Sequence, residues 1–101
     1  MSMALAKAVA EGLTVHPEWV RVAQDNLRRW RIGNSGSPSL LRCYEEWERL
    51  LERPVADVVA EMLSETPVGE RLRRNSPFAG VLPSAVVESI KRRCRDEASA
   101  A

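Results

Sequence analysis

Arg21, Gln24, Arg28 and Arg31 recur at three- and four-residue spacing, so on a helix they form one row of long hydrogen-bond donors. Such a row is what a phosphate backbone or an acidic protein surface requires. Two more basic groups lie further on: Arg71, Arg73 and Arg74, then Lys91, Arg92, Arg93 and Arg95. In a nucleic-acid reading, Arg21, Gln24, Arg28 and Arg31 would contact phosphates together with Arg71, Lys91, Arg92 and Arg95, and binding would fall steeply with salt. Each group also has a plainer account. A row of arginines is ordinarily a solvated helix face, and cations in the final turns of a helix suit the negative end of its dipole. The overall charge does not decide, because it is only +1. Its distribution is uneven: residues 1–36 carry +2, residues 37–66 carry −4 and residues 67–101 carry +3. That acidic centre would repel DNA unless it faced away, whereas alternating blocks also suit a self-complementary surface.

Catalytic chemistry finds little support. His16 is the one histidine, and it stands before Pro17 as a cap or connector residue, with no nucleophile or carboxylate arranged around it by any motif. Glu45, Glu46, Glu48 and Glu52 are spread around a helix and partly matched by arginine, so they do not converge on an apolar pocket. No phosphate-binding glycine loop, HExxH or GxSxG is present. Cys43 and Cys94 lie on or beside apolar helix faces and are expected as buried thiols rather than a disulfide. Neither has metal-ligand spacing with His16, so no metal and no cofactor are expected.

The elements that must position these residues are short helices. Leu40, Tyr44, Trp47 and Leu51 share one narrow face, with Cys43 and Leu50 at its edge. On the other side Arg42–Glu46 and Glu45–Arg49 have the i,i+4 spacing of ion pairs. Pro54 ends that helix, and Val55, Val58, Val59, Met62 and Leu63 carry the next, with Asp57 and Glu61 opposite. Five prolines (Pro17, Pro38, Pro54, Pro67 and Pro83) stand at predicted helix starts, where the missing N–H costs nothing. Upstream, Leu5, Val9 and Leu13 form a thin stripe on an alanine-rich first helix ending near Gly12. The second helix opens at Pro17 and ends at Gly33. Its apolar face is Trp19, Val20, Ala23, Leu27 and Trp30; Trp30 reads as core, although an indole there can also stack on a base.

Residues 55–74 superficially resemble a helix-turn-helix, in which Arg71, Arg73 and Arg74 would face DNA. The second helix is short and Gly69 weakens its start, by up to about 1 kcal/mol relative to alanine. Asn75 to Leu82, NSPFAGVL, is the least helix-like stretch with large apolar residues. Phe78, Val81 and Leu82 require burial, so this loop either plugs the bundle or docks a partner. ERLRRNSPFAGVLP also resembles a segment of the form R-L-R-x-S-S-P-F-A-G-V-L found in small uncharacterised bacterial proteins. The likeness covers about an eighth of the chain and has Asn75 where a small hydroxylated residue stands in that pattern. It implies toxin–antitoxin or mobile-element neighbourhoods and assigns no mechanism to individual residues.

Together these features predict an all-α protein: one domain over residues 1–101, a compact irregular bundle of five to six short helices. Residues 1–13 and 96–101 are the segments expected to fray. No apolar run approaches the ~20 residues of a membrane span. With no basic n-region or cleavage signal, the chain reads as cytoplasmic. The expected function is a non-enzymatic protein–protein interaction module, antitoxin-like or regulatory. Its partner would be another protein or a second copy, met through Phe78, Val81, Leu82, Arg73 and Arg74. The alternative is a DNA-binding regulator using the arginine faces.

Overall fold

The prolines do punctuate the chain. In the computed structural model, which describes residues 1–100, six helices follow one another: α1 (Met3–Val15), α2 (Trp19–Gly33), α3 (Pro38–Leu51), α4 (Val55–Met62), α5 (Pro67–Arg74) and α6 (Ser84–Ala100). No strand occurs among the described residues, and the protein is an all-α bundle. Pro38 and Pro67 occupy first-turn positions, Pro54 is the N-cap of α4, and Pro83 immediately precedes α6. Ser2 and Thr66 cap α1 and α5 by accepting from Leu5 N (3.2 Å) and Gly69 N (3.3 Å). The last predicted fraying residue, Ala101, lies outside the described residues.

Two boundaries differ from expectation. α1 runs past Gly12 to Val15, and Gly12 sits inside the helix for a tertiary reason. A Cβ there would lie far inside van der Waals contact with the Trp19 indole. Trp19 also stacks on the His16 ring, with centroids 5.1 Å apart. α2 correspondingly starts at Trp19: Pro17 and Glu18 form a tight turn in which Trp19 N donates to His16 O (3.0 Å) and Val20 N to Pro17 O (3.2 Å).

α2 and α3 pack as an αα-hairpin across a short connector, α4 packs on α5, and both α4 and α5 lie against α3. α1 bridges α4 and α6 and contributes Ala6, Val9 and Leu13 to the core, so the first helix is an integral layer. The centre of the core is Trp47, fully buried, whose Nε1 donates to Leu72 O at 3.0 Å. Around it stand Ala23 and Leu27 of α2, Tyr44 and Leu51 of α3, and Val58 and Met62 of α4. The predicted apolar faces of these helices are therefore the buried ones, and Trp30 is half-buried against Tyr44, with ring centroids 5.9 Å apart.

The ion pairs are not the local ones expected. Glu46 pairs with Arg71 of α5 through two contacts (2.9 and 3.1 Å) rather than with Arg42. Arg31 of α2 donates from Nη1 to both Glu48 oxygens (each 2.9 Å), and its Nη2 lies 3.6 Å from Glu45, which meets Arg31 rather than Arg49. The long arginine side chain with its several planar N–H donors can reach a carboxylate on a neighbouring helix. The hydrogen bond to Glu46 holds Arg71 even more firmly protonated than usual. Both cysteines are free thiols and half-buried rather than buried.

Candidate functional site

The segment between α5 and α6 is irregular because its backbone cannot remain helical: Ser76-Pro77 breaks the pattern and Gly80 adopts φ +86°, a left-handed value that favours glycine. Its side chains nevertheless dock deeply. Phe78 is 1% exposed and meets Trp47 edge-on at 5.8 Å. Pro77 is fully buried beside it. Asn26 of α2 locks the loop in place, donating from Nδ2 to Pro77 O (2.8 Å) and Ala79 O (3.1 Å), while Arg29 donates to its Oδ1. Asn26 is not legible in the sequence as a functional residue. Its one signal is a position next to Leu27 on the apolar side of α2, where a buried amide must find partners.

On the α4–α5 side, Arg73 is only 8% exposed. It donates to Met62 O (3.0 Å) and Ser64 O (2.6 Å), satisfying carbonyls left open at the C-terminal end of α4. Gly69 makes this corner possible, since a Cβ there would collide with the Ser64 carbonyl oxygen. In turn the Arg73 carbonyl accepts from the Met1 amine (2.8 Å). Partial burial, and secondly the Arg73 guanidinium, lower the pKa of that amine.

Between α1, the α2–α3 hairpin, the 75–83 loop and α6 lies an open cleft of about 530 Å³. Its floor is aromatic: Trp30, Tyr44 and Phe78. Leu5, Leu82 and Val87 form apolar sides. Asn34 bridges the end of α2 and the floor, donating to Trp30 O (3.0 Å) and Tyr44 OH (3.2 Å). Arg74 and Lys91 stand on the rim, both exposed, and neither forms an ion pair among the described residues. No aspartate or glutamate lines the cleft. This volume and lining match sites that take ligand-sized groups: apolar walls with a few polar groups at the edge.

The structure brings part of the predicted partner set to this cleft and removes the rest. Arg74 and Leu82 line it, and Val81 is half-buried beside them. Phe78 and Arg73 are withdrawn from any surface: the first plugs the core, the second caps α4. Of the alternative nucleic-acid set, Arg31 and Arg71 are held by α3 carboxylates. Arg28 sits 3.5 Å from Asp25, Gln24 is half-buried, and Arg21, Lys91, Arg92 and Arg95 are exposed. Of the arginines that the helix-turn-helix reading turns toward DNA, Arg73 is buried on the Met62 and Ser64 carbonyls, Arg71 is exposed but paired with Glu46, and Arg74 is exposed. His16 is a connector, hydrogen-bonded to Glu18 at 3.1 Å.

Among the described residues no three His, Cys, Asp or Glu side chains are grouped closely enough to hold a metal ion. No described helix is long and apolar enough to cross a membrane. Comparison with known proteins adds no relative: no family model, curated protein or solved structure matches the chain.

Proposed function

We propose that this protein is a non-enzymatic protein–protein interaction module that docks a segment of a partner, or of a second copy, in the cleft beside the 75–83 loop. One observation carries the reading: the cleft with its aromatic lining has, among the described residues, an acid-free rim on which Arg74 and Lys91 are uncommitted, while Arg31 and Arg71 are tied to carboxylates. Aromatic and arginine groups at a concave apolar surface are the usual anchors of an interface. An antitoxin-like or regulatory role in a bacterium, implied by the ERLRRNSPFAGVLP likeness, belongs to the same proposal.

The test is the mass of the protein purified gently from its own host, by size exclusion with light scattering. The chain alone is 11.3 kDa. A larger particle, explained by a second polypeptide or a clean homo-oligomer and lost in a Leu82→Glu, Arg74→Glu variant that remains helical, is the expected result. A monomer, or a particle whose excess is nucleic acid removed by salt, overturns the reading. The latter result would move attention to Arg21 and the Lys91–Arg95 cluster.

A further inference from the structure

The cleft also states what chemistry its occupant should have. We infer that it takes a partner segment in which a bulky apolar side chain is flanked by carboxylates, an inference that rests on the docking reading above. The apolar half follows from the half-buried lining residues Trp30, Leu5, Leu82 and Val87, which offer apolar surface to an entering group above the buried Tyr44 and Phe78 rings. The acidic half rests on two observations. No carboxylate among the described residues lines the cleft, so nothing there repels an incoming one. Arg74 and Lys91 face the rim from α5 and α6, both exposed and without an internal counter-charge among the described residues, so their charge is complementary to an incoming carboxylate.

A basic or neutral segment leaves these groups unsatisfied. A lysine-flanked side chain would meet Arg74 and Lys91 as like charges, and an amide-flanked one would offer weaker acceptors. Specificity here therefore comes from rejecting the wrong flank as much as from gripping the right one.

Three acetylated, amidated tripeptides test the inference: Glu-Phe-Glu, Gln-Phe-Gln and Lys-Phe-Lys, each titrated into the full ¹⁵N-labelled chain and followed by amide chemical shifts. The expected result is saturable shifts at the amides of Asn34, Tyr44, Phe78, Leu82 and Lys91. Glu-Phe-Glu should bind about fivefold more tightly than Gln-Phe-Gln, which is what two exposed ion pairs supply, and Lys-Phe-Lys should bind most weakly. In the double variant Arg74→Glu, Lys91→Glu, both positions being exposed, the order should invert. Equal binding of the acidic and amide peptides, or an order unchanged in the variant, overturns the inference while the docking reading stands. No shift at the cleft with any of the three overturns both.

Discussion

Phe78→Ala separates a core plug from a surface loop. Phe78 is 1% exposed and meets Trp47 at 5.8 Å, so truncation removes a whole buried ring and one edge-to-face aromatic pair. Large-to-small substitutions of this kind cost about 3–5 kcal/mol, of which the aromatic pair supplies roughly 0.5–1.5. A domain of this size holds about 5–15 kcal/mol in total. The midpoint of thermal unfolding should then fall by roughly 12–40 °C, since each kcal/mol shifts it by about 4–8 °C. The assay is urea and thermal unfolding followed by far-ultraviolet circular dichroism, with Trp fluorescence as a second probe. A cycle with Trp47→Leu, which removes the partner ring, measures the coupling of the aromatic pair. Leu82→Ala, at a half-buried site on the cleft wall, should cost well under half as much. A loss below about 1 kcal/mol for Phe78→Ala, against the range for buried rings, would refute the account of the loop as a plug and return Phe78 to the surface.

Other positions give sharper tests of single contacts. Asn26→Asp keeps the shape but replaces the amide donor facing Pro77 O and Ala79 O with an acceptor, and should cost about 1–3 kcal/mol. Hydrogen exchange should show the loss concentrated in residues 75–83. Gly69→Ala should destabilise by about 1–3 kcal/mol despite alanine's better helix propensity, because the new Cβ meets the Ser64 carbonyl. Gly36→Ala, with open space around it, should be nearly neutral in the same urea titration. Arg73→Ala leaves the Met62 and Ser64 carbonyls without their charged donor, and should lower stability by about 2 kcal/mol or more.

What could be read from the sequence was what local sterics and periodicity enforce. A proline constrains its own backbone and that of its predecessor, so all five marked prolines lie at or within two residues of a helix start. Leu27, Tyr44, Trp47, Val58 and Met62 were placed by helical period alone, and burial follows that period. What could not be read depends on contacts between distant residues. Gly12 carries the signature of a helix end, yet it lies inside α1 because Trp19 packs against it. Glu46 has a basic residue four positions before it, yet it pairs 25 residues away because Arg71 arrives with a two-pronged fork. Arg73 and Arg74 are indistinguishable as sequence neighbours; the turn of α5 buries one under the end of α4 and leaves the other on the cleft rim. Val81 and Leu82 were placed at the candidate surface by composition, but the cleft itself also needs Trp30, Tyr44 and Lys91, which lie on other helices.

The fate of the arginines connects the charge pattern with the proposed function. The central block of −4 could have been an acidic face turned to solvent, ready to meet a basic partner. Instead Glu45, Glu46 and Glu48 are reached by Arg31 from one flanking block and Arg71 from the other. The alternating blocks therefore compensate one another in part within the molecule. That arrangement weakens the nucleic-acid reading at two of its phosphate-contacting positions. It also leaves the residual positive charge near the end of α5 and along α6, where Arg74 and Lys91 meet the apolar cleft. A groove without carboxylates among the described residues, rimmed by two unpaired cations, is where this surface would discriminate by charge under the docking proposal. Such discrimination requires a partner that brings the carboxylates with it.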